Sequence, residues 1–302
     1  MRGFASLLLR WAACSELAER THDVVNSDMN VSQHEKALRF QQLHQGATPF
    51  FIPNPWDAGS ARLLAELGFP ALATSSGACA ACLGRRDGRV SREEALRHAE
   101  LIVAATDLPV AADLEGGFGR ESELVAETMR LAAGVGLVGG SIEDFTGDAE
   151  APLYELMLAT ERVAAAAEAA HALPYPFLLT ARAENYVRGK TDLGDVIRRL
   201  TAYEAAGADV LFAPALPDLD SVRAVCSAVR KPVNFMVGVR GKSFSLAELH
   251  AAGVRRISFA SSLYRAAMTG LLAAAREVKE EGTFGYLEAT LNTAELNAAL
   301  GI

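Results

Sequence analysis

Three acidic residues stand where a barrel-like chain would place chemistry. Asp113 and Glu115 are two residues apart in ADLEGG (112–117), so in extended backbone their side chains share a face. Glu143 lies in GGSIED (139–144), at the end of the next β-rich run. Three carboxylates converging at one rim repel one another unless a cation neutralises them. Hard oxygen donors of this kind suit Mg²⁺ or Mn²⁺, with waters completing the octahedron. No histidine lies near them in sequence, which argues against zinc. Any one of the acids alone has a competing role, capping the following helix or pairing with an arginine. The Gly-Gly that follows Glu115 lets backbone approach a ligand.

Arg182, in TARAEN (180–185), can grip a carboxylate or a developing oxyanion through two parallel N–H groups. A salt bridge to Glu184 competes for it. Ser75, Ser76 and Gly77 offer hydroxyl and backbone donors after the second β-rich run, suited to a substrate carboxylate. Asn234 offers a side-chain amide near the end of the seventh. Several other motifs fail. GVRGKS (238–243) lacks the first glycine of a phosphate-binding loop, and Met236 stands in its place. GGFG (116–119) is not a dinucleotide fingerprint, and the serine-nucleophile elbow is absent. No lysine ends a predicted strand, which disfavours Schiff-base chemistry. His98 and His171 fall on helical patterns and read as packed or surface residues.

The elements that must position these groups repeat along the chain. A helical stretch ends in glycine and a short β-rich run follows, at 65–76, 132–144, 205–214 and 251–262. Gly68, Gly134, Gly207 and Gly253 are placed to end helices in a left-handed cap. Three further runs lie beside prolines, and PFFIPN (49–54) is the first. Eight strands are thus predicted near 50–53, 70–74, 108–113, 138–142, 176–181, 208–213, 232–236 and 255–259, with helical patterns between them. Strict alternation with eight apolar strands reads as a parallel (β/α)8 barrel of the TIM type. An open doubly wound sheet is the alternative. Polar residues gather at the C-terminal ends of the strands, where such barrels carry their sites.

The 302 residues hold 29 basic and 37 acidic side chains, a formal charge of −8, and half are hydrophobic. That composition excludes a disordered chain, and the acidic balance without basic clusters argues against nucleic acid or an anionic membrane as partner. No run near the N-terminus is long enough to span a bilayer. Residues 1–28 read as an extension, poorly ordered or a processed targeting peptide, with the catalytic domain filling 29–302. Cys79 and Cys82 form a C-x-x-C without the second pair of a zinc site, and read as two buried reduced thiols. Four cysteines in all fit a reducing cytoplasm.

Together the segments NPWDAGSARLLAELGFPALATSSG (54–77), LGRRDG (83–88), ADLEGGFG (112–119), GGSIED (139–144) and TARAEN (180–185) resemble the isocitrate lyase / phosphoenolpyruvate mutase superfamily, over nearly all of 34–302. The resemblance implies a Mg²⁺-dependent (β/α)8 barrel that makes or breaks C–C or P–C bonds beside an α-oxo carboxylate. It implies that Asp113, Glu115 and Glu143 hold the metal and its waters, with Asp87 near the same site. It implies that Ser75, Ser76 and Gly77 hold the substrate carboxylate and oxo group, and that Arg182 contacts substrate. It also implies a homo-oligomer, a dimer of dimers in which residues 263–302 are exchanged between subunits.

The lyases of that superfamily carry a K-x-C-G-H loop whose cysteine donates a proton. This chain has FTGDAEAPLYE (145–155) there, and Asp148, Glu150 or Tyr154 become candidate donors. The asparagine loop typical of the phosphonate mutases is also missing. The expected activity is a Mg²⁺-dependent cleavage of a C–C bond next to an oxo or hydroxy carboxylate, oxaloacetate decarboxylase-like or methylisocitrate lyase-like. The alternatives are a phosphonopyruvate hydrolase or another P–C bond enzyme, and a non-catalytic relative that binds an oxo acid.

Overall fold

The computed structural model describes residues 31–302. The expected extension at 1–28 lies outside the described residues. From Gln33 to Ile302 the chain forms one compact unit.

Helix α1 (Gln33–Gln45) leads into eight βα units. The strands are β1 (Phe50–Ile52), β2 (Leu72–Ala73), β3 (Val110–Asp113), β4 (Gly139–Glu143), β5 (Leu178–Arg182), β6 (Val210–Phe212), β7 (Val233–Met236) and β8 (Arg256–Ser258). The main helices between them are α2 (Ala58–Glu66), α3 (Ser76–Cys82), α4 (Arg92–Ala104), α5 (Ser122–Gly134), α6 (Leu156–His171), α7 (Leu193–Ala205), α8 (Leu219–Ala228) and α9 (Leu246–Ala251). The order β1-β8-β7-β6-β5-β4-β3-β2 is parallel throughout. Ala73 N–H donates to Pro53 O at 3.0 Å, a backbone contact across the remaining seam between β1 and β2. The fold is therefore the expected (β/α)8 barrel, nearly closed, and each predicted strand is present.

Strand alternation divides the residues between two cores. Leu179, Ala181, Leu211, Val233, Phe235 and Ile257 belong to the large cluster shared with the surrounding helices. Phe50, Ile52, Ala111 and Leu178 pack with Ala37 and Phe40 of α1 in a second cluster. A Cβ added at Gly139 would stand 2.9 Å from Phe40 Cε1 and 2.9 Å from Leu178 O. The glycine thus makes room for the ring that α1 inserts at the base of the barrel.

Three of the four glycines expected to end helices do so with positive φ: Gly68 (80°), Gly207 (104°) and Gly253 (97°). Gly134 does not. It remains inside α5, and Gly136 takes the left-handed conformation two residues later (φ 90°). The C-x-x-C also differs from expectation: Cys79 is buried but Cys82 is exposed, because α3 presents the two residues to different sides. Burial pushes the Cys79 thiol up to about 11, so at neutral pH it is neither nucleophile nor ligand. His98, half-buried, holds Trp56 O at 2.8 Å, and the exposed His171 sits 3.0 Å from Asp209, the packed and surface roles expected.

After β8 the chain continues in α10 (Ser262–Glu281), a 3-10 turn (Gly285–Ala289) and α11 (Thr293–Ala299). None of the three buries a residue. Leu271, Leu272, Phe284, Leu287 and Leu291 are more than half exposed. No described helix is long and apolar enough to cross a membrane.

Candidate active site

A cavity of about 860 Å³ opens at the C-terminal ends of the strands. Its lining includes each metal and substrate residue expected from the sequence: Ser75, Ser76, Gly77, Asp87, Asp113, Glu115, Glu143, Arg182 and Asn234. Neighbouring strands deliver the charged ones. Asp113 ends β3, Glu143 ends β4 and Arg182 ends β5, and Glu143 and Arg182 are register partners.

Arg182 is the hub of this group. Its Nη1 reaches Asp113 Oδ1 at 3.0 Å, and its Nη2 reaches Glu143 Oε2 at 2.9 Å. The Nη2 and Nε atoms both meet Glu184 Oε1, at 2.7 and 3.2 Å. The competing salt bridge to Glu184 is therefore formed, together with two others. Three guanidinium N–H groups are hydrogen-bonded, one each on Nε, Nη1 and Nη2, and Glu143 adds an ion pair at Nη2; one N–H on Nη1 remains. The surrounding carboxylates hold Arg182 well above its ordinary pKa despite burial. A second cation, Arg188, lies 3.1 Å from Glu184 Oε2 and 3.4 Å from Glu143 Oε1, and it stacks on the Phe145 ring. Its buried Nε has no acceptor.

Two of the acids are pushed up in their titration. Burial, with Glu184 and Asp113 nearby, pushes Glu143 up to about 8, against the pull of Arg182 and Arg188. Burial and the carboxylates of Asp113 and Asp87 push Glu115 up to about 7. Glu115 adopts a left-handed backbone (φ 49°) followed by Gly117 (φ 77°) and Phe118 (φ 58°). Arg162, fully inside the protein, fixes that turn. It donates to the carbonyls of Gly116, Gly119 and Arg120 and lies 4.4 Å above the Tyr154 ring. Strained turns of this sort persist where the surroundings over-determine them.

Not every expected donor is free to meet a ligand. Ser76 gives both its N–H (3.2 Å) and its hydroxyl (3.0 Å) to Asp113 Oδ2. The Ser75 hydroxyl caps α3 by accepting from Ala78 N. Asn234 donates to Ser258 Oγ at 3.0 Å and accepts from Arg256 Nε at 2.9 Å. A Cβ at Gly77 would lie 3.4 Å from Asp87 Oδ2, so the glycine allows that carboxylate to approach the turn.

The donor chemistry fits a divalent cation of the Mg²⁺ class. Asp87 and Glu115 have no basic side chain bonded to them among the described residues, and burial together with the neighbouring carboxylates raises Glu115. Among the described residues, no three His, Cys, Asp or Glu side chains converge as a ready chelate. Carboxylate oxygens are the donors that a hard ion of the Mg²⁺ class takes, with waters completing its coordination.

Of the three candidate proton donors on 145–155, Tyr154 lines the cavity. It is 7% exposed. The Asp148 carboxylate instead turns into its own loop, accepting from Glu150 N. The segment is pinned below by Asp144, which receives the Tyr203 hydroxyl at 2.6 Å, Arg199 at 3.1 Å and Glu184 N–H at 2.9 Å.

Four cavity-lining cations escaped the sequence reading: Arg89, Arg120, Arg188 and Arg256. Arg188 has no motif to mark it, since it reaches the site from a turn four residues beyond Glu184. Arg256 had a signal. Strand alternation puts it on the same face as Ser258, and so inside the barrel.

Residues 40–279 match the phosphoenolpyruvate phosphomutase family. A crystal structure from Burkholderia cenocepacia J2315, provisionally assigned as a lyase/mutase, superposes with a TM-score of 0.87 at 50% identity. The match covers 89% of this chain and 97% of that one. The 2-methylisocitrate lyase of Shewanella oneidensis is 29% identical over 87% of this chain and 92% of its own. Oxaloacetate decarboxylase 2 of Pseudomonas fluorescens is 26% identical over 84% and 87%.

Proposed function

The chain belongs to the phosphoenolpyruvate phosphomutase family, within the isocitrate lyase / phosphoenolpyruvate mutase superfamily, and is an enzyme of the carbon–carbon lyase type; from that premise we propose that it breaks the C–C bond one carbon beyond the oxo group of a small oxo-dicarboxylate, with oxaloacetate decarboxylation as the reaction. The C3–C4 bond breaks, the C4 carboxylate leaves as CO₂ and the electron pair passes to the enolate of pyruvate. The observation that carries this reading is the gathering of Asp113, Glu115 and Glu143 with Arg182 on one cavity at the strand ends. Asp87, Asp113 and Glu115 are the residues that would hold Mg²⁺ or Mn²⁺, and Glu143 its waters. A bound ion would polarise the substrate's oxo group as a Lewis acid.

The chain's own residues do the rest. Arg182 keeps Asp113, Glu143 and Glu184 in place, and its free Nη1 N–H faces charge that develops on the oxo oxygen as the bond breaks. Ser75 and Gly77 flank the substrate's near carboxylate with backbone donors, and Ser76, engaged with Asp113, holds that acid at the same turn. Tyr154, buried beside the cavity, is placed to return the proton to carbon. Phe145 and Arg188 cover the mouth and restrict water. The missing K-x-C-G-H loop argues against methylisocitrate cleavage, where a dedicated cysteine would protonate the product. The apolar residues on α10 to α11 support subunit exchange in a dimer of dimers, a surface a single copy leaves uncovered.

The test is oxaloacetate consumption, with pyruvate and CO₂ measured, in MgCl₂ and in EDTA. Metal-dependent pyruvate release is expected. Phosphate release from phosphonopyruvate would move the assignment to P–C chemistry. Binding without turnover of any oxo acid would overturn the enzymatic reading. Sedimentation should give a tetramer, and Leu271→Asp with Leu272→Asp should dissociate it.

A further inference from the structure

Barrel interiors are normally filled with branched apolar side chains. Here the inward face of β8 carries Arg256, which is 6% exposed and lines the same cavity as the acidic cluster. Its Nε donates to Asn234 Oδ1 at 2.9 Å and its Nη2 to Thr180 Oγ1 at 2.9 Å, and Nη1 lies 3.4 Å from His44 Nε2. These partners are neutral. The His44 imidazole is pushed down to about 3 by burial and by Arg256, so it is uncharged at neutral pH.

No carboxylate forms an ion pair with Arg256 among the described residues. Burial alone acts on its pKa, pulling it to about 9, so the guanidinium is still cationic at neutral pH. The three contacts engage one N–H on each nitrogen. One N–H on Nη1 and one on Nη2 remain for an incoming anion. A buried charge without a counter-ion is expensive, and a methionine of similar length would fill the same space. Retaining the cation makes sense if an anion arrives.

We propose that Arg256 is an anion receptor in the depth of the cavity that takes the second carboxylate of the substrate, the one remote from the oxo group, and holds it until the C3–C4 bond breaks and it leaves as CO₂. Asn234 and Thr180 orient the guanidinium, and His44 closes the space behind it. The site selects dicarboxylates over monocarboxylates. This inference rests on the oxo-acid reading above and adds the substrate's second charge to it.

The experiment is calorimetric titration of pyruvate and of L-malate, both with MgCl₂, into the full chain, Arg256→Met and Arg256→Lys. The wild type should bind malate more tightly than pyruvate. Arg256→Met should cut the malate-to-pyruvate affinity ratio by about tenfold or more, and Arg256→Lys should keep part of it. Should Arg256→Met fail to fold, as shown by its thermal transition, the lysine variant decides: a partial loss of the ratio supports the receptor. A ratio unchanged in the variants, or a wild type that binds both acids equally, overturns it. A folded wild type that binds neither acid sinks the oxo-acid reading and this inference with it.

Discussion

At the mouth where the strands end, Asp113, Glu143, Glu184, Arg182 and Arg188 form a buried ionic cluster around open space. At the mouth where the strands begin, α1 closes the barrel with Phe40, His44 and Phe50, whose rings meet edge to face at 4.6 and 5.0 Å. The same strands serve both ends, two or three residues apart. The apolar end is held by area removed from water and by close packing. The charged end gains little net stability from its ion pairs, because desolvation offsets their attraction. The contrast separates residues kept for folding from residues kept for chemistry, and each can be tested by what its loss changes.

The largest effect is expected at the hub. Arg182→Met leaves three carboxylates without their shared cation. Turnover should fall by about 10²–10³-fold, and stability by about 3–5 kcal/mol, the cost of breaking a buried pair from one side. Assay and urea denaturation of one preparation read both. A variant that kept full activity would remove Arg182 from the mechanism.

At the other mouth, Phe40→Ala should cost about 3–5 kcal/mol through the cavity it leaves, since Phe40 has no exposed surface. The kcat/KM of the folded fraction should be retained. Loss of kcat/KM without loss of stability would erase the division between the two ends.

The division was partly written in the sequence. The barrel was legible because eight apolar runs alternate with helical patterns, and the rim acids because strand ends are where side chains leave the packed core. Of Arg182's partners, Glu184 was legible two residues along the chain, but Glu143 and Asp113 were not, since they approach it across strands whose register the sequence does not state. Ser76's engagement with Asp113 was hidden for the same reason. Gly134 misled because two glycines lie in AAGVGL, and only the backbone decides which one leaves the helix. His44 gave no sign of its role. A histidine on an amphipathic helix reads as solvent-facing until the barrel is built over it.

That histidine offers a pH test of the apolar end. Its folded pKa, about 3, lies below the usual value of 6.5, so the unfolded chain binds the proton first. Stability is therefore fully present above about pH 6.5 and declines as pH falls toward 3. From pH 6.5 to 5 the loss from this one group is about 2 kcal/mol. Comparing wild type with His44→Gln isolates it: the pH slope over that window should flatten in the variant. Equal slopes would mean that His44 takes its proton within the folded barrel.

The smallest expected effect refines the charged end, because not every rim acid serves the site. Asp57 follows β1 at the same mouth, yet its carboxylate accepts Ser60 N–H at 2.7 Å and closes a capping box at the start of α2. It does not line the cavity. Asp57→Ala should lower stability by about 1 kcal/mol, the usual worth of an N-cap, and leave Mg²⁺ affinity as it was. Glu115→Ala should do the reverse, since burial and neighbouring carboxylates already oppose its charge: Mg²⁺ binding weakens while the free protein is no less stable. If calorimetry found both variants equally poor in Mg²⁺ binding, the rim would be a diffuse negative surface, and the distinction between a capping acid and a ligand acid would fail there.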